Sequence, residues 1–383
     1  MSQVLGCTVS FDRDDIGQTP LFLMPGTTEI YPTIVQTTDV KFHQGEQVEL
    51  SCTGGFKYFK KQKTILATCD GGVGFTVNGD LYKISELTCQ SPSFHEAQRT
   101  NRTCFENATL IEVGYPVKSG FLKMYEACFD EESYVSVYSR YRMAPWNVKT
   151  QKVRKRPQFI SNGFYDGLNV NKKYSFVEQR NTLIKILKTA ERVDALLNQN
   201  KDLFLARGHL AAKAEFVYVA HQLATFWFMN VAPQWQSFNG KNWQRIESNL
   251  RDYLARKKIS VTVYTGTYGV LELADTNGDP QKLYLDYDAD GVARIPVPKI
   301  YYKVLHDEAN DAGIALIGVN NPFITKEELK EDFFFCEDVA DQLDWWKFDR
   351  LNLREGFCYA CRVDEFNAVT KHLPLQPIAN LLL

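Results

Sequence analysis

The residue types able to do chemistry gather between positions 207 and 247. Arg207-Gly208-His209 sets a guanidinium and an imidazole one residue apart. An imidazole titrates near neutrality and suits a general base. The glycine lets the backbone bend or approach a neighbour closely beside it. Asn230 ends the aromatic run Phe226-Trp-Phe-Met-Asn230, and Asn239 lies in Phe238-Asn-Gly240. Glu247 falls one to two turns inside a helix expected over 241–257, where Trp243, Ile246, Leu250 and Leu254 make an apolar stripe. Amide and carboxylate oxygens of this kind suit Mg²⁺, which keeps several of its waters. Asn239 and Glu247 stand eight residues apart, which on a straight α-helix is ~80° of rotation and ~12 Å of rise. One direct ligand, with the other acting through water, is the arrangement this predicts.

The elements that must position these residues are of two kinds. Ser175-Phe-Val-Glu178 reads as a capping box opening an amphipathic helix over 176–199, with Leu183, Ile184, Leu187, Val193 and Leu197 at helical spacing. Ile259, Val261 and Val263 alternate as in a half-buried strand, and Gly313-Ile-Ala-Leu-Ile-Gly-Val319 reads as a buried one. Residues 1 to about 145 are instead rich in short strand signals such as Val48–Cys52 and Gly74–Gly79, separated by Gly, Asn and Asp turns. No catalytic constellation stands out there, so this half is expected to be a structural or substrate-positioning module. The organisation predicted is α+β, with a β-rich domain over 1–145 and a mixed domain over 146–383. The basic segment Lys149, Lys152, Arg154, Lys155 and Arg156 marks the boundary. It also supplies a local positive stripe that the net charge of −2 does not.

Nine cysteines at wide, irregular spacing point to disulfides in an oxidising compartment, and six of them fall in the first half. The odd count leaves one thiol free or paired between chains. Cys358-Tyr-Ala-Cys361 is read as disulfide chemistry, not a metal site, because no second CxxC stands near it. Two sequons, Asn101-Arg-Thr and Asn107-Ala-Thr, favour a secreted glycoprotein. The opening residues lack an apolar signal-peptide core, so a mature form without its leader is expected. No apolar stretch of about 18 residues occurs, and no membrane partner is expected. Asp286–Gly291 begins like an EF-hand loop, but the twelfth position is Val297, so a polar turn is expected there. Asp275–Asp279 reads as a hairpin turn. His221, His306 and His372 are taken as structural or surface residues.

The set Arg207-Gly208-His209, Asn230-Val-Ala-Pro-Gln234, Phe238-Asn239 and Arg245-Ile-Glu247 resembles the DNA/RNA non-specific endonuclease family, with its ββα-metal fold. The intervals from His209 to the two asparagines and the glutamate, 21, 30 and 38 residues, match that family. The stretch Leu205–Glu215 with Ala232-Pro-Gln-Trp-Gln236 resembles its secreted arthropod branch of gut double-stranded ribonucleases, salivary nucleases and duplex-preferring nucleases. The resemblance covers about 150–383. It implies a Mg²⁺-dependent enzyme that cleaves DNA or RNA, with double-stranded substrates favoured, to 5′-phosphate and 3′-hydroxyl ends. It implies His209 as general base, Asn239 as the direct metal ligand and Glu247 as holder of the ion's waters. Asn230 would orient His209 or substrate. Arg156 would neutralise phosphorane charge, with Arg154 its competitor, and Arg207 would support phosphate or framework. Lys152, Arg154 and Lys155 are the candidate substrate-binding residues. The family usually carries Asp before Arg-Gly-His, where this chain has Ala206. That departure sustains an alternative: a secreted nucleic-acid-binding protein on a nuclease scaffold, with weak or no turnover.

Overall fold

The computed structural model describes residues 6–11, 18–72, 74–153 and 156–383. Its backbone is a nine-stranded sheet. From one edge the order runs Cys358–Cys361, Ala312–Val319, Pro298–Asp307, Val261–Val270, Val135–Met143, Gly120–Asp130, Ala108–Val117 and Glu96–Phe105. These pair antiparallel, and the short Asn380–Leu381 adds in parallel beside Ala312–Val319, making the sheet mixed. Ala312–Val319 is buried at every position, as its unbroken apolar run requires.

This sheet crosses the boundary expected at 145. Val135–Met143 pairs with Val261–Val270, Tyr141 opposite Val263. The local turn signals could not reveal a pairing between strands more than a hundred residues apart. The separate N-terminal unit is smaller. A five-stranded sheet from Leu21–Leu23 to Asp80–Lys83, with the pair Cys7–Ser10 and Asp39–Phe42, encloses its own core of Val9, Phe22, Phe42, Leu50 and Phe75. Disulfides Cys7–Cys69 and Cys52–Cys89 staple it. Of two more bridges, Cys104–Cys128 joins the edge strand Glu96–Phe105 to Gly120–Asp130 within the large sheet and Cys336–Cys361 ties a loop to its other edge, while Cys358 is a buried free thiol. The CxxC therefore contributes one partner to a disulfide and leaves the other unpaired.

The helix expected over 176–199 is broken in two, Phe176–Leu187 and Ala190–Leu196. Lys188 adopts φ +66°, which ends the first helix in the left-handed region. Half of the capping box forms: Ser175 accepts from the Glu178 amide, while Glu178 turns to Lys172 at 3.6 Å. The polar turns at 275–279 and 286–291 both lie within antiparallel hairpins, as their sequences suggest. Among the described residues, no helix is long and apolar enough to cross a membrane.

On one face of the large sheet lies a β–β–α unit. Leu205–His209 pairs antiparallel with Val231–Trp235, His209 opposite Val231, and a helical run follows from Gln236 to Lys257. The hairpin is bolted to the sheet by polar contacts. Tyr301 donates to the Ala232 carbonyl at 2.7 Å, Ser136 to the Val231 carbonyl at 3.1 Å, and Asn320 to the Pro233 carbonyl at 3.1 Å. Gly208 fits because a Cβ there would stand 2.3 Å from Gln234 Oε1 and 2.7 Å from the Tyr301 hydroxyl. Its role is close approach.

Candidate active site

A cleft of about 410 Å³ opens where the histidine strand meets the helical run. Five residues singled out from the sequence line it: Arg156, Arg207, His209, Asn239 and Glu247. His209 ends its strand between two aromatic rings, Phe159 at 5.2 Å and Phe226 at 5.1 Å. Its Nε2 is sealed from solvent without a hydrogen-bond partner, which leaves Nδ1 as the nitrogen open to the cleft. Burial, then the nearby cations Arg156 and Lys213, push its pKa down to about 3. The free imidazole is neutral at physiological pH and able to accept a proton. An anion placed between the two cations removes part of that repulsion and makes the ring a stronger base.

Asn239 and Glu247 reach the same cleft through a departure from α-helical geometry. Residues Asn239–Trp243 form a wide π-helical turn before the α-helix Gln244–Lys257. Such a turn takes up one extra residue. The eight-residue interval then behaves like seven, which is ~20° short of two full turns, at ~10 Å of rise. Both side chains come to one face, where a straight α-helix would splay them. The turn is locked from behind. Asn242 donates to the Asp349 and Gly356 carbonyls at 2.9 and 2.8 Å. Phe238 packs into a space that a Cβ on Gly318 or Gly356 would fill, at 2.4 and 2.1 Å.

Asn239 donates through Nδ2 to Gln236 Oε1 at 3.0 Å, and its Oδ1 accepts from no described residue. Glu247 makes no hydrogen bond or ion pair with a described residue. Burial and the neighbouring Glu215 raise its pKa to about 7, against the pull of Lys303 and Arg251. Two unengaged oxygen donors on one face, one of them a carboxylate needing a cation, fit a hard divalent ion that retains waters. Among the described residues, no three His, Cys, Asp or Glu side chains converge as a metal site.

Arg207 is half-buried and its guanidinium lies among Phe159, Tyr174 and Phe228, at 5.2–5.9 Å from their centroids. Nη2 donates to the Asn171 carbonyl and to Asn171 Oδ1 at 3.2 and 2.6 Å, while Nε is buried without a partner. Arg156 is exposed at the cleft and lies 5.4 Å from the Phe226 centroid. Lys152 is exposed and does not line the cleft, although Val153 beside it does. Arg154 and Lys155 lie outside the described residues.

Asn230 is placed differently. It is fully buried behind His209, and its amide is saturated. Oδ1 accepts from Ser139 at 2.8 Å and from the Ala211 amide at 2.9 Å, and Nδ2 donates to the Ala211 and Thr225 carbonyls at 3.0 and 2.9 Å. It closes the base of the excursion 210–230 and so fixes the strand end that carries His209, without facing the cleft. The far end of the same excursion enters the N-terminal unit. The Tyr218 hydroxyl donates to the Tyr31 carbonyl at 2.6 Å, and its ring meets Phe11 at 5.3 Å.

Beneath the cleft is an arrangement that the sequence reading missed. Glu215 and Lys303 are both 0 % exposed and pair at 2.9 Å. Lys303 also donates to Tyr141 and Thr265, each at 2.7 Å, and Tyr141 donates to Glu215. Glu215 accepts from the Ala212 amide at 3.2 Å, clamping the turn Lys213–Glu215 at the cleft wall. A lysine inside the apolar strand run Ile300–Leu305 was the available signal; its partner lies 88 positions earlier.

The family model for DNA/RNA non-specific endonuclease matches residues 106–366. The chain belongs to that family. It is an endonuclease acting on nucleic acid with a divalent metal. The match begins well before 145, in keeping with the continuous sheet. The chain is 29% identical over 369 residues to a salivary endonuclease of Lutzomyia longipalpis, covering 94% of this chain and 82% of the relative. It is 25% identical to the salivary protein Tsal1 of Glossina morsitans morsitans, covering 89% and 84%. Over 111 residues it is 37% identical to mitochondrial endonuclease G of Homo sapiens, covering 29% of this chain and 36% of that protein. This endonuclease is thus similar to insect salivary proteins along nearly its whole length.

Proposed function

We propose that this endonuclease is secreted, uses Mg²⁺, prefers double-stranded DNA or RNA, and leaves 5′-phosphate and 3′-hydroxyl ends. The observation that carries the reading is the shared cleft: a neutral, unpartnered imidazole faces two free oxygen donors across a wall of cations. His209 removes a proton from the attacking water through Nδ1. The two phenylalanine rings hold the imidazole in orientation and exclude water from its other edge. Arg156 stands at the mouth, where it neutralises charge growing on the phosphorane. Arg207 braces the strand and lends positive potential from within its aromatic box. Asn239 and Glu247 would hold the Mg²⁺, which when bound supplies Lewis-acid stabilisation of phosphoryl charge. The contacts on offer go to phosphate, so base readout plays little part.

Secretion is supported by four disulfides and by the salivary relatives. Asn101 and Asn107 are both exposed, on and beside the edge strand Glu96–Phe105, and are free to carry glycans. The test is digestion of plasmid DNA and double-stranded RNA, each beside a single-stranded counterpart, in Mg²⁺, in EDTA and with His209→Ala. Faster loss of the duplexes in Mg²⁺, stopped by EDTA and by the substitution, is the expected result. Equal cleavage by wild type and His209→Ala would refute the mechanism.

A further inference from the structure

One cation of the cleft has been given no part in binding substrate. Lys213 lines the wall beside His209, half-buried, at the start of the turn that Glu215 clamps. It makes no ion pair or hydrogen bond with any described residue. The other two cleft cations differ. Arg156 lies against Phe226, and Arg207 is committed to Asn171 and three rings. The neighbours of Lys213 in the turn, Ala212 and Ala214, are small and also line the cleft, so the approach to its ammonium is open.

We propose that Lys213 is a phosphate-binding subsite: it holds a backbone phosphate next to the one under attack, and so positions the strand without taking part in bond cleavage. Three features support this. First, Lys213 lines the cleft without an ion pair to any described residue, and a cation so placed is matched by an anionic ligand. Second, Lys213 and Arg156 both act on the His209 ring, which puts positive charge at two approaches to the reacting centre. Third, the turn that carries Lys213 is clamped from beneath. The Ala212 amide, Tyr141 and Lys303 all converge on the Glu215 carboxylate, so the lysine is carried on a fixed mount. Contact with phosphate makes the subsite indifferent to sequence.

The inference rests on the endonuclease activity but not on the role given to His209, and its test separates them. Lys213→Met and Lys213→Arg are assayed on a DNA duplex in Mg²⁺ across a salt series. For Lys213→Met, KM should rise about tenfold with kcat within about twofold, since ground state and transition state lose the same contact and, in the wild-type complex, the bound phosphate already offsets the charge of Lys213 on His209. The slope of log affinity against log salt should fall by about one, the loss of one phosphate contact. Lys213→Arg should keep both near wild type. The same pair of substitutions placed in His209→Ala, with equilibrium binding to a short duplex as the readout, gives the affinity change without turnover. Wild-type KM and salt slope in Lys213→Met would overturn the proposal. So would a fall in kcat at unchanged KM, which would place Lys213 in the chemical step.

Discussion

Behind His209 and in front of it, the molecule treats polar groups in opposite ways. Behind it, Asn230 makes four hydrogen bonds with its one amide, and the Glu215 carboxylate gathers an ammonium, a phenol and a backbone amide. In front, Asn239 Oδ1, the Glu247 carboxylate and the Lys213 ammonium have no described partner. Unmet polar groups destabilise a fold, and a protein keeps them where a ligand meets the need. The two asparagines make the contrast sharp: the same residue type is a structural clasp at 230 and an open donor at 239.

This comparison predicts which substitutions strike activity and which strike folding. The largest effect is expected in front. His209→Ala should lower kcat by about 10²–10⁴ with the melting temperature unchanged, measured by plasmid nicking beside thermal denaturation. Behind, Lys303→Met should lower stability by about 3–5 kcal/mol, since it strands Glu215 as a buried unpaired charge. Adding Glu215→Leu should recover much of that loss, as read by denaturant titration. If the single Lys303→Met variant is as stable as wild type, the pair is not an anchor. Asn230→Ala should cost about 2–3 kcal/mol, because it leaves the Ala211 and Thr225 carbonyls and the Ala211 amide short of partners.

A smaller effect follows from the raised pKa of Glu247. In the proposed site the metal requires the carboxylate, which is populated above about 7. Metal affinity should therefore climb as pH rises through neutrality and level off above it, in calorimetric titrations of the free enzyme. A flat profile between pH 6 and 8 would contradict the assignment. Glu247→Gln should flatten the profile and weaken metal binding together.

The front of the site was legible in the sequence because it is written locally. His209, Asn239 and Glu247 sit on one hairpin and one helical run, at intervals that survive in a single chain. The back was not, because its partners are distant. Glu215 meets Lys303 across 88 positions, and Asn230 meets Ser139 across 91. The same limit explains the boundary placed at 145, since the pairing of Val135–Met143 with Val261–Val270 leaves no local trace. The π-helical turn escaped for another reason. Asn239–Trp243, with a glycine and two asparagines, reads as a helix start or a loop and carries no signal specific to a wide turn; its width goes with the tertiary grip on Phe238 and Asn242.

The excursion 210–230 joins the two cores of the molecule. Its base is tied at Asn230 beside His209, and its tip, through Tyr218, is seated in the disulfide-stapled unit. Reducing conditions that open Cys7–Cys69 and Cys52–Cys89 would loosen the seat before they touch any cleft residue. The hairpin that carries His209 is thereby steadied from a core remote from the cleft, and that core is held by bonds a thiol reagent can open.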